Sequence, residues 1–161
     1  MARIIFPVLM LVFVSCTKYE RKQRQRTDFT GFSIDVRIND KLSTGQIIEN
    51  PAPVAIMHVW KADNKNYEIL SVSDAVDGYA TDKTSDRLES ASYHLLDALV
   101  SQRTTAGKYF VFVILDESPT VGKFAYSYTS FEVMNGAKTT LKKTFTSHAS
   151  NAQFEDWYAT E

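Results

Sequence analysis

The run from Gly107 to Glu117, G-K-Y-F-V-F-V-I-L-D-E, constrains this chain more than any other stretch. Tyr109 to Leu115 is unbroken apolar sequence, rich in aromatic and β-branched residues. Successive side chains of a strand point to opposite faces. A strand with no polar alternation is therefore covered on both faces, and it reads as the central strand of the domain. The remaining segments must supply a layer on each side of it.

Several segments have the pattern to do so. Phe32, Ile34, Val36 and Ile38 alternate with Ser33, Asp35 and Arg37, which predicts a strand with one buried face. After Pro51-Ala52-Pro53, Val54 to Lys61 reads as a strand carrying Val54, Ile56, His58 and Trp60 on one face. The turn Asp63 to Asn66 then returns the chain through Tyr67 to Ser73, so these two strands are expected to pair as a hairpin. Asp74 to Asp86 is polar and reads as a long surface connection, with a short strand at Tyr79-Ala80.

Residues 87–102 fit two patterns. Asp86 and Glu89 have capping-box spacing, and Leu88, Ala91, Leu95, Leu96 and Leu99 fall at helical spacing, whereas Ala91, Tyr93 and Leu95 also alternate. The reading adopted is a strand near Ser90 to Leu95 and a short helix near Asp97 to Gln102. Phe124 to Val133 is the next strand. Its apolar residues change parity between Tyr128 and Phe131, which predicts a β-bulge near Thr129-Ser130. Asn135-Gly136 signals a hairpin returning through Thr139, Leu141, Lys143 and Phe145. Lys138, Lys142 and Lys143 mark that strand as an edge. The expectation is an all-β fold: a single antiparallel β-sandwich of about seven strands over residues 29–146, with one short helix before the central strand. The tail, 147–161, is polar apart from Phe154, Trp157 and Tyr158, which either dock back on the sandwich or leave the tail loose.

Gly107-x-Tyr109-x-Val111-x-Val113 resembles the G-x-Y-x-V strand of transthyretin-like and fibronectin-type or immunoglobulin-like sandwiches. The resemblance implies that Gly turns the chain, that the Tyr ring packs at a corner with its hydroxyl on a backbone group, and that alternate valines face the core. The transthyretin-family enzymes end in Tyr-Arg-Gly-Ser. This chain ends Trp157-Tyr158-Ala159-Thr160-Glu161, so their activity does not carry over.

The N-terminus carries a different message. Arg3 precedes an apolar run, Ile4 to Val14, that is shorter than a bilayer span. Phe13-Val14-Ser15-Cys16 resembles the lipobox of bacterial lipoproteins, and the chain as a whole is similar to small lipoproteins of Bacteroides-like bacteria. That resemblance implies a signal peptide over 1–15, cleavage before Cys16, and acylation of Cys16 with diacylglycerol and a fatty acid such as palmitate. Cys16 is the chain's one cysteine, so no intrachain disulfide exists and no thiolate cluster can hold a metal. Residues 16–28 form a basic tether: Lys18, Arg21, Lys22, Arg24 and Arg26 stand against Glu20 alone. The basic excess is confined to this tether and the rest of the chain is acidic, which disfavours nucleic acid as a partner; the segment reads either as lying against anionic headgroups beside the acylated cysteine or as a solvated flexible linker, and the two are compatible. Thr17 is not the Asp that would resemble an inner-membrane retention signal, so the lipoprotein resemblance implies the outer membrane in a two-membrane bacterium.

The residues offer little for catalysis. There is no G-x-S-x-G, no phosphate-binding glycine loop and no cofactor motif. His58, His94 and His148 are not spaced as metal ligands, and His58 reads as a core-edge residue beside Trp60. Asp74, Asp77, Asp82 and Asp86 share a loop but lack the EF-hand spacing, so they read as solvated turn residues. The aromatic residues are the better lead. Trp60, Tyr67, Tyr79, Tyr126, Tyr128, Trp157 and Tyr158 are candidates for a protein- or glycan-contacting face, though Trp60, Tyr126 and Tyr128 also suit a sandwich interior. Tyr79, Trp157 and Tyr158 are the candidate binding residues, since polar neighbours suggest exposure. The expected function is a non-enzymatic envelope lipoprotein displaying a binding surface. A structural component that pairs through an edge strand, as in fimbria-like assemblies, is the alternative, and a small hydrolase comes third.

Overall fold

The computed structural model describes residues 29–118, 121–146 and 151–157. The signal segment, Cys16, the tether, His148 and Tyr158 lie outside the described residues. In chain order the first strands are β1 (Gly31–Lys41), β2 (Ile47–Pro51), β3 (Ala55–Lys61), β4 (Tyr67–Glu68), β5 (Tyr79–Asp82) and β6 (Arg87–Ser90). They are followed by β7 (Tyr93–Leu96), β8 (Leu99–Arg103), β9 (Gly107–Ser118), β10 (Lys123–Val133), β11 (Lys138–Phe145) and β12 (Gln153–Phe154). One short helix, α1 (Val72–Val76), stands between β4 and β5.

These strands make three sheets among the described residues. In the first, β1 has β11 on one side, running parallel to it. Its other side is shared by β8, beside Gly31 to Asp35, and β2, beside Arg37 to Lys41. The second sheet has the order β12-β10-β9-β3-β7, and the third is the small meander β4-β5-β6. The fold is all-β, as the strand patterns predict.

β9 is the centre of the molecule. Its residues Tyr109 to Leu115 are all buried. Tyr109 meets Phe32 of β1, so the odd-numbered face of β9 packs against the first sheet. There Phe32, Ile34, Val36 and Ile38 form one buried stripe. Phe32 also meets the rings of Tyr93 and Phe131, tying three strands of the second sheet to one side chain. The even-numbered face of β9 carries Phe110, Phe112 and Ile114. Phe110 is covered by Trp60 and Tyr67, so the small third sheet acts as a lid on the second. Burying each such ring contributes roughly 2–3 kcal/mol, which makes this two-sided strand the main source of stability.

The all-β expectation stands, but several local expectations are corrected. Two strand pairs, β1–β11 and β10–β12, are parallel rather than antiparallel. The segment after Tyr67 does not pair with β3. β4 pairs with β5 instead, and β3 lies between β7 and β9. The sharp exit after Glu68 is explained by α1: the Ser71 hydroxyl accepts from Asp74 N and starts a helix where a continuing strand was expected. Residues 99–103 are a strand, not a helix, because β1 offers them an open ladder.

The bulge near Thr129-Ser130 is absent. The ladder between β9 and β10 is regular there and shifts only at Lys123/Phe124. The parity change in β10 has another cause. Phe124, Tyr126 and Tyr128 point outward where neighbouring aromatic residues cover that face, while Phe131 points inward to Tyr109. Nor do β10 and β11 form a hairpin. Met134 to Ala137 is a turn in which Ala137 N donates to Met134 O, with φ +70° at Gly136 and no positive φ at Asn135. A two-residue hairpin of the Asn-Gly kind needs both central residues at positive φ. This turn splays its arms, and β11 crosses to the first sheet to pair with β1.

The end of the described chain docks. Glu155 N donates to Tyr126 O, and β12 lies along the edge of β10. Lys143 points inward from β11 and is almost fully buried, so it is not one of the lysines facing solvent at that edge. Its Nζ donates to Asp156 O and stands 3.9 Å from the Glu155 carboxylate.

Candidate functional site

The outer face of the second sheet gathers the aromatic residues that the first sheet does not use. Along β10, Tyr126 and Tyr128 point to this face, and β12 brings Phe154 beside them. Phe154 lies 5.6 Å from Tyr126 and 5.2 Å from Tyr128 between ring centroids. Tyr126 also packs on Phe112, and Tyr128 on Phe110. Phe110 and Phe112 are buried, whereas Tyr128 is 36 % and Phe154 43 % exposed. The cluster is thus a ladder of rings whose inner members are fixed in the core and whose outer members face water.

Beside this ladder lies a cleft of about 450 Å³ between the second sheet and the Lys65-Asn66 turn of the lid. Asn66 and Lys65 form one wall, and Lys108, Ser130 and Glu132 form the other. Ser130 and Glu132 follow Tyr128 at two-residue spacing, so all three share one face of β10. Opposite them, Ser130 pairs with Phe110 and Glu132 with Lys108. Lys65 is held in an ion pair with Glu89. The same carboxylate accepts from the Tyr67 hydroxyl. Hydrogen bonds from Lys65 first and Tyr67 second keep the Glu89 carboxyl below the usual range, so the anion is present at neutral pH. The side-chain ends of Asn66, Lys108, Ser130 and Glu132 make no hydrogen bond to other described residues. A cleft with a few convergent polar groups next to exposed rings is the usual form of a small-molecule site.

The residues singled out by sequence fall in different places. Tyr79 opens β5, at the edge of the third sheet's ladder opposite Ser90, and is exposed. Trp157 is buried, against the expectation that its polar neighbours would leave it exposed: residues 151–157 pack onto the domain and take its ring into the core cluster. Tyr158 and Cys16 are outside the described residues. Trp60 is fully buried, and its Nε1 donates to Glu89 O. The four loop aspartates divide between α1, β5 and a turn. Asp82 is buried and accepts from Asn66 N, Thr84 N and the Ser85 hydroxyl, so it organises its own turn.

Phe154, Asn66, Ser130 and Glu132 were missed by the sequence reading. The alternation of β10 signals that Ser130 and Glu132 share a face with Tyr128. Nothing in the sequence signals that Phe154 arrives beside it.

A second feature appears only in three dimensions. β3 and β7 pair so that His58 stands opposite His94, and the two Nδ1 atoms are 2.9 Å apart. His58 Nε2 lies 3.0 Å from Val76 O. A carbonyl only accepts, so His58 carries its proton on Nε2. Burial first, with the His94 charge adding to it, holds the His58 imidazole below its ordinary pKa despite the opposing effects of Val76 O and Asp77. His58 is therefore neutral at pH 7, its Nδ1 accepts, and His94 Nδ1–H donates.

No protein-family model, curated protein or solved structure matches this chain.

Proposed function

We propose that this protein is a lipid-anchored lipoprotein of the bacterial envelope whose β-sandwich domain binds a glycan, without catalysis, on the outer face of its second sheet. In this reading residues 1–15 are removed, Cys16 carries the lipid, and the basic residues before Asp28 lie against anionic headgroups of the outer membrane. The observation that carries the glycan reading is that one face of β10 presents the exposed Tyr128, packed with Phe154, and then Ser130 and Glu132, which line the cleft with Asn66 and Lys108. A pyranose has an apolar face for a ring to cover and an edge of hydroxyls that need donors and acceptors. Amide, carboxylate, ammonium and hydroxyl groups beside an exposed tyrosine supply both. A protein partner would use the same rings but has less use for so small a polar cleft.

Screening the full chain against immobilised polysaccharides and oligosaccharides tests this. Binding that falls at least tenfold in both Tyr128→Ala and Asn66→Ala supports the site. Binding that neither substitution changes, or no binding to any glycan, overturns it. Anchoring is tested separately: Cys16→Ser should abolish palmitate labelling and release the protein from membranes, and a variant still labelled and membrane-bound removes the lipoprotein reading.

A further inference from the structure

We propose that His58 and His94 form a binding site for a borderline transition-metal dication, Cu²⁺ or Zn²⁺, with the two Nδ1 atoms as ligands. The argument begins with register. Opposed residues of an antiparallel pair are the closest neighbours that two strands offer, and here the pair is two imidazoles on the outer face of the second sheet. Their ring centroids are 4.9 Å apart at 74°, so the nitrogen lone pairs converge rather than stack.

The surroundings suit ligation. Metal-bound histidines ordinarily donate the other ring N–H to a carbonyl or carboxylate, which fixes the tautomer and the ring plane. His58 already does this: Nε2–H is held by Val76 O, and Nδ1 is left as the basic nitrogen. The carbonyl comes from the last residue of α1, and the turn that follows brings Gly78 against both rings. A Cβ at Gly78 would stand 2.6 Å from His94 Cε1 and 3.4 Å from His58 Nδ1. The backbone thus walls the pair on one side, and the φ of +86° at Gly78 lets it approach.

His94 supplies the freedom. It is exposed, so its proton can move from Nδ1 to Nε2, where water accepts the bond. Both Nδ1 lone pairs then face the metal, and any further proton on the ring is released to water as the metal binds. Tetrahedral bonds of 2.0–2.1 Å place two nitrogens about 3.3 Å apart. That is a few tenths of an ångström beyond the present separation, within the swing of an exposed ring. No set of three or more His, Cys, Asp or Glu converges among the described residues, so water completes the coordination shell. Two imidazoles favour Cu²⁺ over Zn²⁺ by the usual order of divalent affinities.

The test is calorimetric titration of the full chain with Cu²⁺ and with Zn²⁺, beside His94→Asn and His58→Asn/His94→Asn. Cys16 and His148 are present in all three proteins, so the difference reports the pair. The expected result is one equivalent of Cu²⁺ that the double variant lacks, an affinity at least tenfold weaker in His94→Asn, and two-nitrogen hyperfine structure in the Cu²⁺ electron paramagnetic resonance spectrum of the unsubstituted chain. Since His94 is exposed, its single variant keeps the fold even where the double variant does not. Equal stoichiometry and affinity in the unsubstituted chain and His94→Asn overturn the proposal.

Discussion

The Tyr109 hydroxyl donates to the carbonyl oxygen of Thr105, 2.8 Å away and four residues back along the chain. The Tyr109 hydroxyl oxygen is also 2.7 Å from Thr104 Oγ1, which is in turn 2.6 Å from the Tyr93 hydroxyl. Tyr109 has spent its one proton on Thr105 O, so Thr104 donates to Tyr109 and Tyr93 donates to Thr104. This chain of hydroxyls joins β7, the loop before β9, and β9 itself. Tyr109 is fully buried, while Thr104 is half-buried and Thr105 exposed, so the partners left behind can turn to water. Tyr109→Phe should cost about 0.5–1.5 kcal/mol, the net worth of an ordinary intramolecular hydrogen bond. Urea unfolding should show a lower midpoint with unchanged slope, and an unshifted midpoint would mean that the network carries no stability.

Gly78 and His94 make a second coupled pair. Alanine at Gly78 faces two costs. A non-glycine residue at positive φ costs roughly 1–2 kcal/mol, and overpacking against His94 adds roughly 1–3 kcal/mol. Replacing His94 with Ala removes the second cost and leaves the first. The double variant Gly78→Ala/His94→Ala should therefore be more stable than the two single changes added together, by about 1 kcal/mol or more. Strict additivity would show that the ring moves aside freely.

Much of this arrangement was legible in the sequence, and what was lost has identifiable causes. The two-sided burial of Tyr109 to Leu115 and the stripe from Phe32 to Ile38 follow from side-chain periodicity alone, and so did the all-β class. Pairing did not follow. β3 carries the pattern of half a hairpin, but nothing local says that its partners are β7 and β9 rather than the segment after Asn66. Because the His58–His94 contact depends on that pairing, spacing along the chain could not reveal it: the two residues are separated by 36 positions. Trp157 was misjudged for a related reason. Its neighbours in sequence are polar, but Lys143 and Glu155 are held inside by Asp156 O and by Thr146, and they carry the ring in with them. Residue polarity is a poor guide where each polar atom finds a buried partner.

Acid should reach the fold through Asp82. Burial alone would raise its carboxyl, but the hydrogen bonds from Thr84 N, the Ser85 hydroxyl and Asn66 N outweigh burial and hold it below the usual range. A carboxyl depressed in the folded state stabilises fully above its unfolded pKa and loses that contribution as pH falls through the folded value. Asp82→Asn should remove this part of the acid dependence. Urea midpoints of the two proteins between about pH 6 and pH 2.5 should converge as the solution becomes more acidic, because Glu49, Asp63 and Glu89 titrate in both. A constant gap would mean that Asp82 does not titrate with folding.

The opposite limb of the pH profile belongs to Lys143. Its ammonium sits over the Phe145 ring and bonds to Asp156 O, yet burial lowers its pKa from the ordinary 10.5 more than Glu155 and Asp156 raise it. Between the depressed folded value and the unfolded one, the unfolded chain binds more protons. Stability must therefore rise with pH through that window. The sign is the reverse of an exposed, ion-paired lysine, whose stabilisation is lost as it deprotonates. Lys143→Met keeps an unbranched apolar side chain in the same space, removes the titration, and gives up one hydrogen bond to Asp156 O, worth about 1 kcal/mol. Unfolding of the two proteins from pH 7 to pH 10.5 should show the unsubstituted chain gaining on the variant as the solution becomes alkaline, since Tyr67 and Tyr126, whose hydroxyls burial pushes up, are the same in both. Parallel curves would place the Lys143 charge in water rather than between the sheets, and would remove it as the anchor of residues 151–157.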